Sequence, residues 1–163
     1  VVTVGALRSG RYNASGDDEL ADYSSRGPTE MGFVKPDLLV PGSRTIAPMP
    51  QSSTLATSAP DERTVAVATV DLKIGAFAGR QEYGQLSGTS MAAAQVSGVV
   101  ALMLQANPGL TNDEVKGRLL ATARPASDPD TGQLRYSVWE QGAGLLDARA
   151  AILGTTTERA NQG

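Results

Sequence analysis

An α/β fold is what these 163 residues predict, and three observations predict it. Short, continuous apolar runs such as Leu38-Leu39-Val40 are bounded by turn chemistry, as in strands buried on both faces. A long apolar stretch, Met91 to Ala106, has helical length and ends on Asn107-Pro108-Gly109. A second helix follows it behind a recognisable cap.

The elements run in this order. Val1 to Leu7 is a buried strand of the parallel type, closed by Arg8-Ser9-Gly10. Ser9 to Asp22 is a polar loop carrying Asp17, Asp18, Glu19 and Asp22, and Ser24 to Pro28 is turn chemistry. Lys35-Pro36-Asp37 leads into the strand Leu38 to Val40, and Pro41-Gly42 closes it. Gly42 to about Pro60 is rich in Ser, Thr and Pro and reads as surface loop. Arg63 to Val70 alternates weakly as a strand, and Gly75 to Leu86 holds part of a hairpin or an irregular connection. Met91 to Ala106 is apolar nearly all round, which predicts a buried central helix. Thr111 with Glu114 forms a capping box for a helix that buries Val115, Leu119 and Leu120 and turns Asp113, Lys116 and Arg118 to water. Asp128 to Gly132 is a turn, and Leu134 to Trp139 alternates like an edge strand in which Tyr136 and Trp139 are packing residues. Gly142-Ala143-Gly144 is a close backbone approach, and Asp147 caps a last helix through Ile152. Thr155 to Gly163 is a polar tail expected to fray.

Composition narrows the function. Apolar residues are 40%, charged residues 19% and aromatic residues 4%, with 18 glycines, so small side chains pack closely. Lys and Arg number 14 against 17 acids, a net charge of −3, which lacks the basic excess of a nucleic-acid binder. No run of about 18 apolar residues predicts a membrane span. There is no cysteine, hence no thiol nucleophile or thiolate metal site. There is no histidine either, so the commonest general base and metal ligand is missing from these residues. No secretory leader pattern opens the chain, and a start inside a strand reads as a processed or partial product.

The stretch that carries chemistry is Ser87-Gly88-Thr89-Ser90-Met91-Ala92. A glycine turn delivers Ser90 to a helix N-terminus, where free N–H groups and the positive end of the helix dipole favour a developing oxyanion. Thr89 and Ser90 are also good capping types, so the local pattern equally describes a plain helix start. The motif of a Gly-x-Ser-x-Gly hydrolase is absent because Ala92 holds its last position, no Ser-x-x-Lys pair occurs, and Gly5 to Gly10 lacks the lysine of a phosphate-binding loop.

Five ordered segments together resemble the subtilisin-like serine proteases. They are Asp22 to Pro28, Lys35 to Gly42, Gly88 to Ala92, Leu104 to Pro108 with its capped helix, and Gly142 to Ala148. Ile46 to Tyr83 is longer and less recognisable than the family's usual segment there. The resemblance implies a three-layer α/β/α fold with a mainly parallel sheet, incomplete at its N-terminal side. Residues 1–154 would be the C-terminal part of the peptidase domain, with 155–163 as the tail. It implies that Ser90 is the nucleophile of a serine endopeptidase and that Ser90, with Thr89 beside it, supplies oxyanion support. The family's order is aspartate, histidine, serine. The aspartate, the histidine and the oxyanion asparagine would therefore lie upstream of Val1, and this chain alone would be inactive and marginally stable or associating.

The family's Pro-His after Met-Ala-x is Ala94-Gln95 here. Two alternatives stay open: a non-catalytic pseudoprotease or binding module on the same fold, and a serine-carboxyl peptidase of the sedolisin type, which uses acids in place of histidine. The resemblance implies protein or peptide substrates, the N-terminal part of the same domain as partner, and secretion. Calcium is common in the family, but no cofactor or metal is assigned to this chain. Asp17, Asp18, Glu19 and Asp22 lack EF-hand spacing and read as solvated acids.

Overall fold

The computed structural model describes residues 1–8, 18–50, 53–54, 64–65 and 83–160. They fall into two compact units, one from residues 1–43 with 88–163, the other from residues 44–87.

The first unit is built on a sheet of β1 (Val4–Arg8), β2 (Glu19–Leu20) and β3 (Leu38–Pro41) in the order β2-β1-β3. β1 and β3 run parallel, with Val4 opposite Leu38 and Leu7 opposite Pro41. β2 is antiparallel to β1. Single bridges extend the sheet beyond β3, parallel from Leu39 to Leu145 and antiparallel from Leu145 to Arg124. The sheet is thus parallel at its centre and antiparallel at its margins. Of the predicted strands, the one at Val1 to Leu7 begins only at Val4 and runs to Arg8, and the one at Leu38 to Val40 extends to Pro41.

Side chains alternate across a strand. Ala6, Leu38 and Val40 face a core shared with Ala92, Val96 and Met103 of helix α1 (Thr89–Ala106), Val115 and Leu119 of α2 (Asn112–Thr122), and Ala151 of α4 (Ala148–Leu153). Leu7 and Leu39 are fully buried on the other side. There a Cβ on Gly5 would fall 2.6 Å from Leu39 Cδ2, so only glycine admits that packing.

The caps are as expected at two helices. Thr111 and Glu114 form the capping box of α2, and Asp147 Oδ1 accepts from Ala150 N–H at 2.9 Å at the start of α4. Asp128 Oδ1 accepts from the N–H groups of Asp130 and Thr131 in the predicted turn.

Four expectations are corrected in this unit. The edge strand at Leu134 to Trp139 is a single bridge at Leu134 followed by the short helix α3 (Val138–Gln141). Ser137 and Glu140 close a capping box around it, and that Ser-x-x-Glu signature outweighs the weak alternation. Arg118 and Lys116 do not face water. Arg118 is 3% exposed and its Nε donates to Thr156 O at 3.1 Å, while Lys116 turns in towards Asp37. The tail does not fray through Ala160. Gly117 lacks the Cβ that would block the Glu158 backbone, and Ala160 N–H reaches Asp113 O.

The fourth correction concerns α1, which is not buried all round. Ala94, Ser97, Gly98, Ala101 and Gln105, at helical spacing, form an exposed stripe, because no described element packs on that side. By length and composition alone this 18-residue helix is apolar enough to cross a membrane, but Ala92, Val96 and Met103 commit its other side to the core.

The second unit is a small antiparallel sheet of β4 (Thr45–Pro48), β5 (Thr64–Val65) and β6 (Tyr83–Leu86) in the order β4-β6-β5. β4 corrects the expectation of loop after Gly42. Thr45 pairs with Leu86 and Pro48 with Tyr83, so proline sits at the strand's last position. Strand and hairpin expectations within residues 66–82 lie outside the described residues, as does Asp17.

Asp37 joins the first unit's parts. Its Oδ2 accepts from Thr3 N–H at 2.6 Å, Thr3 Oγ1 at 2.7 Å and Lys35 Nζ at 2.7 Å, and its Oδ1 lies 3.4 Å from Lys116 Nζ. Burial pushes this carboxyl up. The Lys35 ammonium, the two Thr3 donors and the Lys116 charge outweigh that and hold it below the usual aspartate value. A group depressed in the folded state stabilises above its unfolded value and loses that stabilisation as pH falls through the folded one. Urea titration of Asp37→Asn is expected to show a loss of about 2–3 kcal/mol at pH 7. The difference from the parent should shrink once pH drops below about 4. An equal difference at pH 7 and pH 3 would contradict this role for the carboxylate.

Candidate active site

Ser90 is the second residue of α1, and the geometry that holds it begins at β3. Gly88 N–H donates to Gly42 O at 2.8 Å, tying the helix start to the residue after β3. A Cβ on Gly42 would lie 2.9 Å from both Ala6 Cβ and Gly88 O and 3.3 Å from Ala92 Cβ. Glycine at 42 is therefore what lets α1 approach the strand ends. One further turn along α1, Gln95 Nε2 donates to Pro41 O at 2.7 Å.

This start is not a side-chain cap. Gly88 is the N-cap and no side-chain hydrogen bond closes it. Gly88 O accepts from Met91 N–H at 3.1 Å and from Ala92 N–H at 3.4 Å. The alternative in which Thr89 or Ser90 merely caps the helix is thereby set aside. Ser90 is exposed and Thr89 half-buried, and neither Ser90 Oγ nor the leading N–H groups of Thr89 and Ser90 have a partner among the described residues. An unengaged hydroxyl thus sits beside unpaired donors at the positive end of a helix of 18 residues.

The other segments that carried the resemblance form the scaffold behind this corner. Ser24 Oγ accepts from Ala6 N–H at 3.0 Å, and Tyr23 Oη and Ser43 Oγ share a 2.6 Å hydrogen bond next to Gly42. Arg26 pairs with Glu140 at 2.9 Å. The Ser137 N–H, its hydroxyl and the Arg26 charge hold the Glu140 carboxyl below its usual value. Gly142, at φ 59, and Gly144, at φ 112, pass so close to the Pro36–Asp37 and Arg124 backbones that no side chain fits. Gln141, buried nearby, accepts from Ala126 N–H at 2.7 Å and donates to Tyr136 O.

The acidic group disperses where it is described. Asp22 pairs with Arg8 at 3.0 Å and Glu19 lies in β2, and among the described residues no three carboxylates gather as for a metal.

The model of the subtilase family matches residues 1–144. The chain is 36% identical over 154 residues to the serine protease AprX of Bacillus subtilis, covering 94% of this chain and 30% of AprX. It is 32% identical over 136 residues to the minor extracellular protease Vpr of the same organism, covering 83% of this chain and 14% of Vpr. Fervidolysin from Fervidobacterium pennivorans, a keratinolytic enzyme related to subtilisin, shares the fold at a TM-score of 0.64 and 26% identity, over 100% of this chain and 20% of its own. The CspB protease of Clostridium perfringens matches at a TM-score of 0.57 and 23% identity, over 93% of this chain and 26% of its own, a likeness of fold. The α/β architecture with a serine at the head of its long helix is that of a subtilase, and this chain belongs to the subtilase family. It spans less than a third of the length of these relatives.

Gly42→Ala is expected to lower stability by about 1–3 kcal/mol, because neither Ala6 nor the Gly88 carbonyl can yield cheaply. Thermal or urea unfolding checks this, and a neutral substitution would show that α1 can move away from β3 without penalty.

Proposed function

We propose that these residues carry the nucleophile-bearing part of a subtilisin-like serine endopeptidase acting on proteins or peptides, with Ser90 as the nucleophile. The observation that carries the reading is the exposed Ser90 hydroxyl, held by the Gly42–Gly88 contact and free of any capping bond. Ser90 Oγ attacks the scissile carbonyl carbon while its proton passes to a histidine. The carbonyl oxygen becomes an oxyanion facing the N–H of Ser90, with Thr89 beside it as further support. The tetrahedral species collapses, the C–N bond breaks, and the amine leaves with the proton that the histidine returns. Water, deprotonated by the same histidine, then hydrolyses the acyl-serine.

With no histidine here, the base, its aspartate and the oxyanion asparagine come from chain outside these 163 residues. That portion would also cover the exposed small-residue stripe of α1. In this type of site, losing the histidine alone costs on the order of a million-fold in turnover, so these residues alone are inactive. The extracellular relative Vpr favours a secreted protein. The reading assigns no cofactor, and any calcium belongs to residues it does not identify.

A fluorophosphonate probe tests the reading. The whole gene product is expected to label at Ser90, Ser90→Ala to abolish labelling, and residues 1–163 alone to remain unlabelled. An unlabelled whole product would make the chain part of a non-catalytic module on this fold, and labelling of the 163 residues alone would refute the need for outside groups. Size-exclusion chromatography with light scattering should show the 163 residues self-associating through the exposed α1 stripe. A monomer that melts cooperatively at high temperature would contradict that.

A further inference from the structure

Gln95 stands where the family shows a histidine, and the chemistry proposed for Ser90 does not use it. Three contacts join the first two turns of α1 to the end of β3. The Gly88 N–H bonds Gly42 O, the Ala92 methyl packs close to Gly42, and Gln95 Nε2 donates to Pro41 O at 2.7 Å. Residues 88, 92 and 95 are spaced by four and three, so they share one side of the helix. The first contact is a backbone bond and the second is a methyl contact. Only the third is a directional side-chain bond, and it grips the peptide unit adjoining Gly42.

Pro41 is exposed at the strand end and its carbonyl is the last of β3, where Gln95 Nε2 meets it. The Gly42 N–H of the same peptide bonds Leu7 O at 2.9 Å, so the Pro41–Gly42 unit is held by β1 on one side and by Gln95 on the other, and a tilt on the Gln95 side passes to the bond that fixes Gly88. Ser90 follows Gly88 by two residues.

We infer that Gln95 is a positioning residue: by clamping Pro41 O to α1 it sets the Gly42–Gly88 bond and, through it, the attack geometry of Ser90. The effect on Ser90 chemistry rests on the function proposed above, whereas the clamp itself does not. An amide suits the task because its N–H donor stays neutral at every working pH.

The test uses the whole gene product with Gln95→Glu, which keeps the shape but replaces the donor with an acceptor facing Pro41 O, and Gln95→Ala, which removes both. Two readouts are taken on the folded fraction. Amide hydrogen exchange at Gly88 is expected to quicken about ten-fold in both variants relative to amides of α2. Fluorophosphonate labelling of Ser90, and kcat on a peptide substrate, are expected to fall about ten-fold with KM unchanged, as small misplacements of a nucleophile do. Unchanged exchange at Gly88 in Gln95→Glu overturns the clamp. Faster exchange with unchanged labelling, or a loss confined to KM or to the folded fraction, overturns its effect on Ser90. If the parent protein itself fails to label, it is the role of Ser90 that falls, and the exchange at Gly88 still decides the clamp.

Discussion

A single buried carboxylate sets the frame on which the site is built. Asp37 receives donors from Thr3 just ahead of β1, from Lys35 just ahead of β3 and from Lys116 on α2. Its own backbone adds to this, since Asp37 N–H bonds Thr3 O and Asp37 O accepts from Ala143 N–H. Parallel neighbours have no hairpin to fix their register. Here the Thr3–Asp37 exchange fixes it one step before the first paired residues, Val4 and Leu38. A slip of β3 by one residue would turn Leu38 and Val40 away from α1 and bring Leu39 against it. The charge is tolerated in a half-dry setting because it is matched by two ammonium groups and by hydrogen bonds to its lone pairs.

Register then becomes geometry at the serine. Once β1 and β3 are aligned, Gly42 emerges beside Ala6, and the lack of a side chain there leaves room for Ala92 and the Gly88 carbonyl. The helix start is held by backbone and by its neighbours, so its hydroxyls are not consumed in capping. A serine that capped its own helix would have its lone pair committed to an N–H, and that leading N–H group would be occupied. Leaving the first turn uncapped costs stability locally, typically on the order of 1 kcal/mol for a missing cap. That local cost accords with the nucleophile role proposed for Ser90.

Much of this was legible in the sequence, for identifiable reasons. Buried strands such as Leu38 to Val40 announce themselves because both faces are apolar. Thr111–Glu114 and Asp147 are readable because a cap is a local contract between residues three apart. Ser137–Glu140 obeys the same rule but was hidden under the alternation of Leu134, Tyr136 and Val138, which is a weaker constraint over so few residues. Arg118 was unreadable because its burial depends on a segment some forty residues away that lies over Gly117. β4 escaped because its partner, Tyr83–Leu86, is equally distant and its own composition is that of a loop. The motif at Ser90 was legible as a pattern, whereas its freedom from capping follows only from the Gly42–Gly88 bond.

The helix α1 shows why a composition can mislead about environment. Apolar side chains all round predict burial all round, yet the stripe from Ala94 to Gln105 is open. The residues on it are mostly small, but Leu102 and Leu104 flank it at 49% and 39% exposure, so the open side as a whole carries apolar area into water. The same smallness lets another backbone come close when one is present. A long helix whose inner side carries Val96 and Met103 and whose outer side carries Ala94, Gly98 and Ala101 is therefore suited to being sandwiched.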